Sequence, residues 1–420
     1  MRAGLPGKVV SFYIVPLDPA LKGEACGALA GQEGVFELVI SKKVMMVAGE
    51  ASGDLHGAHL LEALCKIDPH VHCFGMGGDA LRRAGMTLLY HHRSFSVVGI
   101  TEVFLKLRVI RKALRELKQS LDRERPDLVI LVDFPDFNFR LAKAAHRRGI
   151  PVLYYISPQV WAWRPGRVKL ISKWVRKMVV FFPFEVPIYR AAGVDVEWVG
   201  HPLLDIVRPS LSRKEALQKF NLSPERPIVA LLPGSRESEI EKLLSTLLAS
   251  AELLQREIPT LQFVIPLASG MSREVLSPWV RQSPIPVKVV EGLTYDVMNV
   301  ADLLITASGT ATLEGAILGR PMVIIYRVSP LSYWIGRMLV RVDHIGMVNL
   351  VAGKGLMPEL LQKDANPERI AAESLPILKD PALQRQMMEG TEEVRRNLGE
   401  PGAVGRAASI VHSLLNEVRA

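Results

Sequence analysis

Apolar and polar positions alternate along this chain in blocks. Short, β-branched runs occur at Lys43–Ala48, Val71–Phe74, Leu128–Asp133, Val152–Ser157, Met178–Phe182 and Val194–Val199. Longer stretches with helical spacing, such as Phe139–Arg148, separate most of them and stop at Gly or Pro. The alternation of these runs with helices predicts a parallel α/β sheet. A second series follows at Ile228–Leu232, Gln262–Leu267, Val287–Val290, Leu303–Thr306 and Val323–Val328, after a charged segment without strand pattern, Arg208 to Pro227. The pattern therefore predicts two Rossmann-like α/β domains, 43–207 and 208–365, with parallel sheets facing across a cleft. Residues 366–420 read as helices throughout, with Ile370, Leu375, Leu378, Ile410, Leu414 and Leu415 as the apolar series. They either cap one domain or cross back to the first.

Composition narrows the class. At 420 residues the chain is too long for one ordinary core, and 49% apolar with 23% charged residues is the make-up of a folded globular protein. No stretch approaches the ~20 uninterrupted apolar residues of a membrane span. A net charge of +9 favours anionic partners, whether nucleotide, nucleic acid or phospholipid surface. Cys26, Cys65 and Cys73 form neither a disulfide framework nor a zinc spacing, which fits a reducing cytoplasm. Residues 1–42 stand apart: Lys8 to Val15 is a short apolar run, somewhat like a secretory signal but broken by Pro16 and at the short end of the usual ~7–15 residues. The reading is a poorly ordered extension, or an overlong start before Met45 or Met46.

The candidate chemistry sits where predicted strands run into helices. Val47-Ala-Gly-Glu-Ala-Ser-Gly-Asp54 and Thr306-Ala-Ser-Gly-Thr-Ala-Thr-Leu-Glu314 are glycine-punctuated turns, one in each half, whose helix starts suit anions. Leu231-Leu-Pro-Gly-Ser-Arg236 is a third, in which Gly234 turns the chain, Ser235 can cap the helix and Arg236 offers a planar fork for phosphate. A surface cap with a solvated arginine is the plainer alternative. Ser308, Gly309 and Thr310 form the other phosphate candidate, and Glu314, one turn on, can accept from both hydroxyls of a ribose. Asp133, in Asp133-Phe-Pro-Asp-Phe-Asn138, is placed to have its pKa raised and to act as a general base, with Asp136 or Asn138 as the helix cap. Glu50 and Ser52 are polar groups of the first turn. The turn is not G-x-G-x-x-G, which disfavours a dehydrogenase. His56, His59, His91, His92 and His344 lack metal-ligand spacing and read as surface or cap residues, whereas His201 in Gly200-His-Pro202 is expected to point towards the cleft.

One region mixes two signals. Phe95, Val97, Val98, Ile100, Val103, Phe104 and Leu105 are nearly continuous apolar residues, followed by the stripe Leu107, Ile110, Leu114, Leu117 and Leu121 with basic flanks. A core-packed helix accounts for the stripe; a surface for acyl chains and anionic headgroups is the rival. Arg164 to Lys177 adds six basic residues, none acidic, with Trp161, Trp163 and Trp174 nearby. No nucleic-acid-binding motif accompanies them.

Taken in order, Val47 to Asp54, Asp133 to Asn138, Ile156-Ser-Pro-Gln-Val-Trp-Ala-Trp-Arg164, Phe181-Phe-Pro-Phe-Glu185, Gly200-His-Pro202, Leu231 to Arg236, Ala307-Ser-Gly-Thr310 and Asn349-Leu-Val-Ala-Gly353 resemble the lipid-A-disaccharide synthase family. The resemblance covers roughly residues 43–361. It implies an inverting glycosyltransferase of GT-B architecture that joins UDP-2,3-diacylglucosamine to 2,3-diacylglucosamine 1-phosphate, at the inner face of the cytoplasmic membrane. It further implies Asp133 and Arg236 as catalytic residues and Glu50 and Ser52 on the acceptor side. His201, Gly234, Ser235, Ser308, Gly309, Thr310, Glu314 and Asn349 would be the remaining substrate contacts. No metal or cofactor and no nucleic acid is expected, and a homodimer is compatible. A relative acting on a UDP-sugar without acyl chains, a UDP-sugar epimerase and a two-lobed binding protein are the competing readings.

Overall fold

The computed structural model describes residues 42–417 apart from 96–101, 159, 161–164, 268–270 and 329–343. Among them, seven strands build a first sheet: β1 (Lys43–Ala48), β2 (His72–Gly77), β3 (Thr87–His91), β4 (Leu128–Val132), β5 (Val152–Tyr155), β6 (Lys177–Val180) and β7 (Val196–Trp198). Six build a second: β8 (Ile228–Leu232), β9 (Gln262–Leu267), β10 (Val287–Glu291), β11 (Leu303–Ala307), β12 (Met322–Tyr326) and β13 (Glu359–Leu361). The orders are β3-β2-β1-β4-β5-β6-β7 and β10-β9-β8-β11-β12-β13, and the paired strands run parallel.

Burial explains the central strands. Leu128-Val-Ile-Leu-Val132 has no polar side chain, and all five residues of β4 are buried, with Ile130 in register with Met46 of β1. Helices must then cover both faces. Ala113, Leu114, Leu117 and Leu121 of helix Glu102–Glu124 pack with helix Pro135–His146 on one face, so the described part of the apolar stripe is core. On the other face lie helix Ala51–Ile67 and the last helix, Ala403–Glu417, whose Ala403, Ala407, Val411, Leu414 and Leu415 close that core. The C-terminal chain thus returns to the first sheet, while Leu203, Leu204 and Val207, just past β7, join the core of the second.

Some elements differ from their sequence reading. β3 and β13 went unpredicted; both are edge strands, β3 only partly buried and β13 three residues long. The helix expected at Phe139 begins at Pro135, where a missing N–H costs nothing at the first helical position. Inside the charged segment, helix Arg213–Lys219 starts from a capping box in which Ser212 and Glu215 bond reciprocally. Among the described residues the C-terminal helices are three, Pro367–Lys379, Pro381–Asn397 and Ala403–Glu417.

Strand order positions the site. In the first sheet the chain builds outward in opposite directions from β1 and β4, and in the second from β8 and β11. At such switch points the loops after the two strands diverge and leave a crevice at the sheet's carboxyl edge.

Candidate active site

The loop after β1 carries Gly49, Glu50 and Ser52, and Asp133 is the first residue past β4, so the switch point of the first sheet brings these residues together. Glu50 and Ser52 are exposed at the start of helix Ala51–Ile67. Asp54, buried one turn further, accepts from the backbone N–H groups of Gly78 (2.6 Å), Ala80 (3.0 Å) and Leu81 (3.2 Å) and so ties this loop to the segment after β2. Gly49 has no room for a side chain, because a Cβ would lie 2.2 Å from the ring of Phe134.

Asp133 is half-buried and its carboxyl is pushed up to about 6, first by burial and then by the charge of Glu50, against a backbone hydrogen bond from Phe134. Its backbone is left-handed, φ 44°, as are those of Phe134 (φ 47°) and Ile156 (φ 68°) just past the neighbouring β5. Three non-glycine residues in this region at one edge of one sheet mark strain that the surrounding structure maintains. The expected cap differs. Asp136 is exposed and bonds Arg167, whereas Asn138 is buried and donates back to Val132 O (3.2 Å) and Asp133 O (2.6 Å), and the N-cap position falls to neither of them. Left-handed Phe134 and Pro135 make the start instead.

His201 is not open to the cleft as expected. It is buried, its ring lies 5.4 Å from that of Phe181 and 5.1 Å from that of Phe182, and its Nδ1 accepts from Leu203 N at 3.1 Å. Its N–H donates to Leu398 O at 2.9 Å, joining the segment after β7 to the start of the return crossing. Burial, then His56, drives its pKa down to about 3, so the imidazole is neutral. His56 and His92 are likewise buried more deeply than surface residues: burial takes His56 down to about 4, and His92 lies 4.0 Å from Asp54.

The second switch point holds both phosphate candidates, the loop after β8 and the loop after β11. Gly234 has φ 117°, which glycine alone adopts without strain. Ser235 does not cap the helix with its hydroxyl; the carboxylate of Glu239 accepts from Ser235 N (3.0 Å) and from Arg236 Nη1 (3.0 Å). Both donors are exposed. Ser308 Oγ donates to Ile345 O at 3.3 Å, while Gly309 and Thr310 are exposed before helix Ala311–Ile317. Glu314 is half-buried, and burial raises its pKa against the opposing hydrogen bond from Tyr295 Oη (3.3 Å).

Asn349 faces inward. It is 1% exposed, and its amide is engaged by Met357 N and O (2.8 Å each) and Glu359 Oε1 (2.7 Å). Glu359, missed by the sequence reading, also accepts from Ile345 N (2.8 Å) and Gly346 N (3.0 Å), and thereby fixes the peptide whose carbonyl meets Ser308. Tyr295 was missed as well. Only its place in the first turn of helix Thr294–Val300, just past β10, hints at a role. The basic segment near 164–177 is partly neutralised: Arg167 pairs with Asp136, and Lys177 with Asp195 (3.2 Å) and Glu197 (3.0 Å). Val97, Val98, Ile100, Trp161, Trp163 and Arg164 lie outside the described residues.

Two parallel sheets with polar, glycine-bearing loops at both switch points define the GT-B class of nucleotide-sugar enzymes. The same fold occurs in the Staphylococcus aureus MnaA–UDP structure (TM-score 0.62, 15% identity, 90% of this chain and 98% of that one). It recurs in the calicheamicin glycosyltransferase CalG4 (TM-score 0.60, 17% identity, 90% and 100%). A family model for lipid-A-disaccharide synthetase matches residues 44–412. Lipid-A-disaccharide synthases from Geobacter sulfurreducens and Syntrophus aciditrophicus are each 50% identical, over 90% of this chain and 98% and 99% of theirs. The chain belongs to the lipid-A-disaccharide synthase family of glycosyltransferases.

Proposed function

We propose that the protein transfers the diacylglucosamine unit of UDP-2,3-diacylglucosamine to the 6-hydroxyl of 2,3-diacylglucosamine 1-phosphate, with inversion, releasing UDP. The observation that carries this reading is the placing of a raised carboxyl, Asp133, at one switch point and two phosphate-type turns at the other. Residues 43–207 take the acceptor, with Glu50 and Ser52 beside it, and residues 208–365 take the nucleotide, while 366–420 link the two. Asp133 removes the proton as the acceptor oxygen attacks the anomeric carbon; the bond from that carbon to the β-phosphate oxygen breaks, and the electron pair leaves with UDP. The diphosphate displaces the Glu239 carboxylate from Ser235 and Arg236, and Arg236 meets the growing negative charge. Ser308 to Thr310 hold the second phosphate, and Glu314, braced by Tyr295, takes the ribose. Asn349 and His201 serve through the backbone they fix rather than by direct contact.

Acylated substrates belong to a bilayer, and we place the enzyme peripherally on the cytoplasmic face of the membrane. The described helices include none long and apolar enough to cross one. Exposed Arg108, Arg111, Lys112 and Arg115 of helix Glu102–Glu124, with Lys169 and Lys173, supply a basic face for anionic headgroups. The test is incubation of the purified protein with the two acylated sugars: UDP release together with a β(1→6) disaccharide 1-phosphate is the expected result. Hydrolysis or 2-epimerisation of the UDP-sugar without disaccharide would overturn it.

A further inference from the structure

Asp133 does not lie in the strand that carries it. The chain leaves β4 and enters two consecutive left-handed residues, Asp133 (φ 44°) and Phe134 (φ 47°), before Pro135 starts the helix. An aspartate in that region is uncommon and a phenylalanine more so, and without outside support the peptide would relax towards extended backbone. The support is local and specific. The carbonyl oxygen of Asp133 accepts from Tyr154 Oη at 2.6 Å and from Asn138 Nδ2 at 2.6 Å. Asn138 also reaches Val132 O at 3.2 Å, and so spans the last strand residue and the first strained one. Behind the peptide, Asp133 N donates to Tyr155 O at 3.3 Å, and beyond it the Phe134 ring lies against Gly49, which has no side chain to obstruct it.

Tyr154 is fully buried, its ring 6.0 Å from that of Phe139. Burial, then the charge of Asp133, holds its proton on, so the phenol remains a donor throughout the working range of pH. A phenol in such a place could satisfy itself by bonding any nearby carbonyl. Here it selects the carbonyl of the residue whose side chain has the raised pKa.

We propose that Tyr154 and Asn138 are positioning residues that clamp the Asp133 carbonyl, hold its backbone left-handed and thereby aim its carboxylate at the acceptor hydroxyl. The inference rests on Asp133 being the base. Clamping the backbone leaves the carboxylate free to exchange its proton while restricting where that exchange can occur, and misplacement of a reacting group by about 1 Å can cost on the order of 10²-fold in rate. The clamp touches neither turn of the second sheet, so nucleotide binding is independent of it.

Tyr154→Phe removes one oxygen and leaves the Asp133 carbonyl its bond from Asn138. It should lower kcat about tenfold, leave KM for both acylated sugars and the Kd for UDP within about twofold, and shift the acid limb of the pH–rate profile downwards as the released carboxylate gains water. Asn138→Ala, in a separate protein, should do the same with a larger effect. The deciding measurement is a cycle with Asp133→Asn, read in single-turnover assays long enough to register residual transfer. If the phenol acts through the carboxylate, Tyr154→Phe adds nothing in the Asp133→Asn background. An equal loss in both backgrounds, or a lowered melting temperature with unchanged kcat per folded molecule, would reduce Tyr154 to packing and end the proposal. Substantial activity in Asp133→Asn alone would instead remove Asp133 as the base, and the clamp would have nothing to aim.

Discussion

At Asp133 a raised pKa has two consequences of opposite benefit. As a base the carboxyl must be ionised, so kcat/KM should fall tenfold per pH unit below about 6 and level off above it, measured with saturating co-substrate. For stability the sign reverses. The folded state binds this proton more tightly than the unfolded state, whose carboxyl titrates near ~3.9, so stability decreases as pH rises from about 4 to about 6 and stays lower above. Asp133→Asn should therefore lose about 10²–10⁴ in kcat, keep UDP affinity, and gain about 1–3 kcal/mol of unfolding free energy at pH 8 that disappears near pH 4. A variant that is inactive yet no more stable at pH 8 would show that burial of this carboxylate carries no such penalty. Arg236 is exposed, and among the described residues its side chain bonds Glu239 in the first turn of the helix it caps, so its removal should hardly alter stability. Arg236→Ala should nevertheless cost about 10²–10³ in kcat and weaken UDP binding in calorimetry, since its proposed partner is the departing diphosphate. Unchanged kinetics would leave it a helix-start residue.

The loops after β1 and β4 are coupled by shape. An alanine at Gly49 would bring a methyl group to within 2.2 Å of the Phe134 ring, and the ring cannot retreat without moving the strained backbone beside it. Gly49→Ala should lower unfolding free energy by about 1–3 kcal/mol in urea titrations and reduce kcat more than the unfolded fraction explains. Full activity would mean that Phe134 moves independently of Asp133. The same elements show what could be read from residues alone. β1, β4 to β6, β8, β9, β11 and β12 were legible because strands covered on both faces need largely apolar runs, and the residues ending β1, β4, β8 and β11 fell at the switch points. β3 and β13 were not, since an edge strand needs little burial and three residues carry no period. The bonds of Tyr154 and Glu359 run to backbone carbonyls and N–H groups far away in sequence, which no local spacing encodes. His201 was misjudged for a related reason: a histidine after a strand can face solvent or its neighbours' rings, and only the fold brings Phe181 and Phe182 to it.

Across the whole molecule, charge and chain path set the remaining expectations. If the basic face of helix Glu102–Glu124 holds the enzyme on membranes, replacing Arg108, Arg111 and Arg115 by Gln should weaken sedimentation with anionic vesicles several-fold. Raising salt to 1 M, where the Debye length is ~3 Å, should have a similar effect on the parent protein. Binding that ignores both changes would assign it to apolar contacts alone. The return of helix Ala403–Glu417 to the first sheet bears on how the chain is made. Helix Ala51–Ile67 buries its outer side against Ala407, Val411 and Leu415, residues synthesised some 350 positions later. At about 5–20 residues per second, a ribosome leaves that apolar surface uncovered for tens of seconds. The second sheet can fold in that interval, whereas the first must wait for the last helix to emerge, and a nascent chain in this state is the form most exposed to aggregation and to chaperones.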